Sequence, residues 1–340
     1  MRNKWSKFFF LAAVILAAIL VGSPTKAAQS EDVGFNIQMI PATNQIDRTQ
    51  SYFDLRMQPN QKQTVYVKIT NTSAEEANYA INVNQAYTND QGFIDYTTNK
   101  TPSKKKTPFS IDKIANYDKK ISLKGQSSIQ VPITLTMPKE KFDGQILSGI
   151  QVTRLDEDKS GQINNRYGYV LGLKLTETDT PVKRDLQLKE VFPKAMFGKP
   201  AIVAKLSNPT MDAYGHLKYT VEIKDKQTAK KIIQKTYDSD MQMAPNSTYD
   251  FAIEYKENDR LPSGQYVLDL TITDAKKNKW TFNRSFEVSD KQVDKVNSLS
   301  VGENQKTPIW IYIIGILIVL LVIGGIILIM RKRKQKKGIE

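Results

Sequence analysis

Gln130-Val131-Pro132-Ile133-Thr134-Leu135-Thr136-Met137 alternates, residue by residue, between polar or wet positions and apolar ones. A period of two puts Val131, Ile133, Leu135 and Met137 on one face of a strand and leaves the other face to solvent. That is the pattern of an antiparallel sheet resting on a core. Pro132 cannot donate to a ladder, so the run reads as an edge strand. The same alternation recurs at Val65, Val67 and Ile69, at Tyr79, Ile81 and Val83, and at Tyr266, Leu268, Leu270 and Ile272. Further strands are expected over 34–40, 146–154, 166–176, 185–192, 201–206, 217–223, 248–255 and 279–288. Turn signals separate them, including Asn89-Asp90-Gln91-Gly92. Nothing before residue 309 sustains a period of 3.6. The expected class is all-β, with two tandem immunoglobulin-like β-sandwiches.

The two ends carry other signals. Arg2, Lys4 and Lys7 precede an apolar run over 8–21 and a small-residue stretch with Thr25 and Ala27, the layout of a secretory signal cut after Ala27. Residues 309–330 contain no charge and are long enough to span a bilayer as a helix. Arg331-Lys332-Arg333-Lys334 and Lys336-Lys337 follow, which places the C-terminus in the cytoplasm. The expected organisation is therefore signal peptide 1–27, first sandwich 28–178, second sandwich 179–290, a polar stalk 291–308, a transmembrane helix 309–330 and a basic tail 331–340. The domain boundary falls at the polar stretch Glu177-Thr178-Asp179-Thr180-Pro181.

Charge and composition exclude several classes. Of the net +14, the signal and the tail carry nine, so the exported part is only mildly basic and no nucleic-acid surface is implied. The chain has no cysteine and one histidine, His216, which leaves no zinc set and no Ser-His-Asp or Cys-His nucleophile. The acidic clusters Glu75-Glu76, Asp156-Glu157-Asp158 and Glu257-Asn258-Asp259 sit in polar turns, where nothing raises a carboxyl pKa for general-acid work. No cofactor is expected. Lys104-Lys105-Lys106 is the sharpest basic run, either a solvated loop or a contact for an anionic wall polymer. Leu261-Pro262-Ser263-Gly264-Gln265-Tyr266 reads as a tyrosine corner, and Trp280 as a core anchor.

In order and spacing, the exported chain resembles the WxL-interacting proteins of low-GC Gram-positive bacteria. Gly34-Phe35, Tyr52-Phe53-Asp54-Leu55, Tyr87-Thr88-Asn89 with Gly92, Ile94-Asp95-Tyr96 and Phe142-Asp143-Gly144 carry the first half of the likeness. Asp185-Leu186-Gln187-Leu188, Leu206-Ser207-Asn208-Pro209, Met243-Ala244-Pro245-Asn246-Ser247 and Trp280-Thr281-Phe282 carry the second. One departure is Ser148-Gly149, where the pattern has a pair of glycines.

The resemblance implies a peptidoglycan-binding domain followed by a host-binding domain and a membrane span. Its partners would be WxL-domain surface proteins, peptidoglycan and host matrix. Localisation would be the cell membrane, with the N-terminal part inside the wall. Tyr52, Asp54, Asn89 and Tyr96 are the candidate glycan contacts, since sugar sites combine a ring face with amide or carboxylate partners. Tyr52 and Tyr96 read equally as half-buried strand residues. Competing readings are an adhesin acting directly on host ligands and a wall-processing enzyme with a carboxylate pair in a pocket. The residues before the span, Asn304-Gln305-Lys306-Thr307-Pro308, lack a sorting signal of the LPxTG type.

Overall fold

A computed structural model describes residues 33–97, 109–155, 167–255 and 262–299. The signal peptide, the span, the basic tail, Lys104-Lys105-Lys106 and the two acidic clusters after residue 155 lie outside the described residues, as does 300–308 of the stalk. Among the described residues no helix is long and apolar enough to cross a membrane.

The first domain comprises β1 (Phe35–Ile40), β2 (Phe53–Arg56), β3 (Lys62–Asn71), β4 (Ala77–Gln85), β5 (Tyr87–Thr88), β6 (Ile94–Asp95), β7 (Ala115–Tyr117), β8 (Lys120–Leu123), β9 (Ser127–Thr136), β10 (Ile146–Leu155) and β11 (Gly168–Thr176). One helical turn, Ile111–Ile114, precedes β7. Two sheets face each other, in the orders β1-β3-β9-β7 and β2-β11-β10-β4-β8. β2 joins β11 in parallel, and the other pairings are antiparallel. Alternate residues of both sheets, among them Val65, Val67, Ile69, Ile133, Leu135, Ile150 and Leu173, form one core. Each such side chain contributes roughly 1.5–3 kcal/mol by leaving water, and without disulfides this burial carries the domain.

The second domain comprises β12 (Gln187–Met196), β13 (Lys199–Asn208), β14 (Tyr214–Asp225), β15 (Lys231–Met243), β16 (Ser247–Glu254), β17 (Gly264–Thr273) and β18 (Lys279–Val288). Its sheets run β12-β13-β16 and β15-β14-β17-β18 around a core rich in tyrosine and phenylalanine. Tyr266 donates its hydroxyl to the Pro262 carbonyl at 3.1 Å, the expected corner. Trp280 stacks on Tyr214, ring centroids 5.8 Å apart, and packs against the core.

Three features differ from the strand reading. β9 is an edge only in part: at Pro132 it lacks an outer neighbour, but β7 pairs with it over Ile133, Thr134 and Leu135. β15 is a 13-residue strand with no visible alternation. Lys235, paired with the buried Val221, is itself exposed; its ammonium lies over the Tyr237 ring and reaches Glu254 at 3.0 Å. Its partner β14 also shifts register twice around His216, where Tyr214 and Leu217 both face the core although three residues apart. Thirdly, the stalk expected from residue 291 begins as a helix, Asp290–Leu299, with Val296 buried. Val293 of that helix packs on the second core. One apolar residue per turn is too thin a stripe to read in a polar stretch.

Both domains use one device that the strand pattern does not reveal. At the end of β3, Asn71 donates to the Glu75 and Leu123 carbonyls, and its Oδ1 accepts from the Ser73 N–H and hydroxyl. At the end of β13, Asn208 donates to the Asp212 and Ala244 carbonyls and accepts from the Thr210 N–H and hydroxyl. Each asparagine closes an Asx turn and ties it to a distant loop.

Candidate functional site

Three of the four candidate contacts meet on the outer face of β2-β11-β10-β4. Gly149 of β10 stands beside Gly172 of β11, and Asn84 of β4 stands beside Gly149. A Cβ at Gly149 would lie 2.5 Å from the Tyr96 Cβ, and one at Gly172 would lie 3.2 Å from the Tyr52 Cβ. The two tyrosines therefore lie down on two adjacent glycines, a close approach that only a missing side chain permits. Asn84 holds Tyr96 by donating to its carbonyl at 2.7 Å, and Gln45 holds Tyr52 in the same way at 2.9 Å. Asp54, nearly buried, receives Lys174 at 3.1 Å, while its Oδ1 finds no partner. At the family's expected glycine pair, Ser148 is fully buried with its hydroxyl unsatisfied.

The Tyr96 phenol is pushed up to about 12, first by burial and then by the fields of Tyr52 and Asp95. Burial also raises the phenols of Tyr219 and Tyr249, which share a hydrogen bond of 2.9 Å inside the second core. A raised folded-state pKa means that the stabilisation is complete below the ordinary tyrosine value and is lost as pH climbs through the folded value. Urea midpoints should accordingly fall between about pH 10 and pH 12, and Tyr96→Phe should lessen that fall. An unchanged pH dependence in the variant would contradict the burial of Tyr96.

Asn89 belongs elsewhere. Its Oδ1 accepts the N–H groups of Gln91 and Phe93, and its Nδ2 reaches Asp95 at 3.4 Å. The side chain is occupied in holding the β5–β6 hairpin, as the Asn-Asp-Gln-Gly turn requires. That hairpin docks on the second domain. The Gly92 carbonyl accepts the Gln242 N–H at 2.7 Å, and the Ala244 N–H donates to Thr88 Oγ1 at 3.0 Å. Ser247 donates to the Ala244 carbonyl, so the Thr88 hydroxyl donates to Ser247 Oγ, 2.6 Å away. Nearby, the Gln145 N–H donates to the Met211 carbonyl at 2.7 Å. None of these cross-domain contacts is visible in the sequence, because no local pattern marks a hairpin that packs on a neighbour.

The junction leaves a cleft of about 290 Å³, lined by Arg56, Lys174, Thr178, Asp179, Asp212 and Lys276 among others. Its charges largely neutralise one another: Arg56 pairs with Asp179, Lys174 with Asp54, and Asp212 with Arg184. Among the described residues, no three histidine, cysteine or acidic side chains cluster to hold a metal ion. Glu75 and Glu76 are exposed, and His216 sits on the surface against Asp240.

Two β-sandwiches joined through a hydrogen-bonded junction define a tandem β-domain protein. Residues 35–154 match the WxL Interacting Protein, peptidoglycan binding domain, and residues 158–298 match the WxL Interacting Protein, host binding domain. The chain belongs to the WxL-interacting protein family. Comparison with curated proteins finds no match. Among solved structures, the chain is similar to the class 5 fimbriae chaperone CfaA, at 10% identity and a TM-score of 0.28, over 74% of this chain and 98% of that one. It is also similar to the E. coli chaperone DraB, at 14% identity and a TM-score of 0.28, over 68% of this chain and 92% of that one. Both likenesses are loose.

Proposed function

We propose that this protein is a non-catalytic scaffold of the bacterial cell surface that holds a WxL-domain protein against peptidoglycan. The observation that carries the reading is the tandem match to two binding-domain families, across domains bonded to each other through Thr88, Gly92 and Gln145. Such a junction lets one ligand position another. The uncharged stretch 309–330 and the basic residues after it support a membrane anchor with a cytoplasmic tail, and 1–27 supports export. Co-purification from detergent extracts should bring down a WxL-domain protein, identified by mass spectrometry, together with muropeptides after wall digestion. Extracts that yield neither would refute the scaffold.

The second family match favours a further partner, a host ligand for residues 158–298. Two domains of this size reach under about 100 Å from a membrane, which is less than the thickness of a Gram-positive wall. The scaffold therefore works within the wall. Antibodies against the second domain should label intact cells only after wall digestion. Strong labelling of undigested cells would instead favour direct host contact.

A further inference from the structure

The first sandwich has two outer faces with opposite treatment. On the β2-β11-β10-β4 side, Tyr52 and Tyr96 lie against the sheet and cover it. On the β1-β3-β9-β7 side, nothing among the described residues covers the strands: Gln38, Thr64, Tyr66, Lys68, Gln130 and Pro132 are all exposed. β3 and β9 pair without a bulge from Lys62 opposite Thr136 to Asn71 opposite Ser127, giving a continuous strip about 30 Å long.

Tyr66 stands in the middle of that strip, 42% exposed. In register across the strands it is flanked by Ile40 of β1 and Pro132 of β9. The next row, two residues along and about 7 Å away, is Gln38, Lys68 and Gln130. On the other side Thr64 and Thr134 hydroxyls lie 3.0 Å apart. A lone exposed tyrosine on a strand is ordinary and needs no function. A low apolar row with a ring at its centre, bordered by amides on one side and hydroxyls on the other, is a more particular arrangement.

Charge separates this face further. The outward positions of β1, β3, β7 and β9 include no aspartate or glutamate, and they include Lys62 and Lys68. The outer face of the second domain's larger sheet instead mixes Glu222, Lys224 and Asp269 in mutual ion pairs. All four strands of the bare face fall inside the stretch 35–154 that matches the peptidoglycan-binding family, whereas the covered face needs β11, beyond it.

We propose that the β1-β3-β9-β7 face is a platform for a polysaccharide strand bearing anionic substituents. The Tyr66 ring takes the C–H face of a sugar. Gln38, Gln130 and the threonine hydroxyls meet its hydroxyl and amide groups, as donors and acceptors both. Lys62 and Lys68 face carboxylate groups along the strand. The proposal rests on the peptidoglycan reading above and assigns that function to one surface.

The test is co-sedimentation of the full-length, detergent-solubilised protein with insoluble peptidoglycan, before and after hydrofluoric acid removes phosphate-containing polymers. Wild type should sediment with both preparations. Tyr66→Ala should weaken binding about tenfold or more, and Tyr66→Phe should stay within about twofold of wild type. Tyr167→Ala, an equally exposed tyrosine off this face, should bind as wild type, and near-UV circular dichroism should show each variant folded. Wild type failing to sediment would overturn the peptidoglycan reading, and the platform with it. Wild type binding while Tyr66→Ala binds equally well would overturn the platform alone, the more so if Tyr96→Ala abolished binding. Binding lost on acid stripping would assign the ligand to a phosphate polymer and overturn the sugar contact at Tyr66.

Discussion

Asn71→Ala is expected to lower the unfolding temperature of the first sandwich by roughly 10–20 °C, and Asn208→Ala to do the same to the second. Both side chains are fully buried and each makes at least four hydrogen bonds. Alanine would leave one backbone N–H without a partner, remove two donated bonds and add a small cavity, although the Glu75 and Ala244 carbonyls each keep a hydroxyl donor. At about 1–3 kcal/mol for the stranded N–H and about 1 kcal/mol for each bond lost, a total of about 3–5 kcal/mol is expected. Asn71→Asp is the informative companion, because it keeps the acceptor for Ser73 and loses both donated bonds. Calorimetry resolves the two domains. A shift smaller than about 3 °C for Asn71→Ala would mean that the Asx turn is tolerated without its hub.

Gly144→Ala is expected to open the junction while leaving both cores intact. Gly144 has φ of +96°, a region that side chains other than glycine rarely enter. A Cβ there would lie 2.4 Å from the Met211 carbonyl oxygen, a backbone atom of the other domain that also accepts the Gln145 N–H. A backbone neighbour cannot rotate away, so the substitution must push the domains apart or break that bond, at a cost of about 2–4 kcal/mol. Small-angle scattering should show a larger radius of gyration, and the connection over 177–186 should become protease-sensitive. Binding to insoluble peptidoglycan should persist, since the bare face lies wholly within one sandwich. An unchanged scattering curve would sink the junction as the element that fixes the two domains.

Thr88 and Gly92 explain why such a junction escapes a reading of the chain. Tyr87-Thr88-Asn89 and Gly92 were legible as a turn, and Asn89 does hold that turn. That the turn docks on Gln242, Ala244 and Ser247, more than 140 residues away, depends on two sheets already being folded. The same holds for Tyr52 and Tyr96. Ring and carboxylate chemistry marked them as contacts, but Gly149 and Gly172 allow the tyrosines to rest on the sheet as cover. Tyr66, by contrast, lies between Val65 and Val67 in an alternating run, where the pattern marks it only as a wet position.

Alternation, turn residues and the Pro-Ser-Gly-Gln-Tyr corner are local signals, because a strand's two faces are set by its own backbone geometry. They sufficed for the all-β class, for most of the strands and for the corner at Tyr266. β15, the helix Asp290–Leu299 and the choice of which face stays bare come from packing between distant segments. Lys235, in the row of Ile233 and Tyr237, stays exposed, with its ammonium over the Tyr237 ring and beside Glu254. Val296 is buried because the second domain offers it a surface. Those partners exist only after the chain has closed on itself, so no window of adjacent residues could announce them.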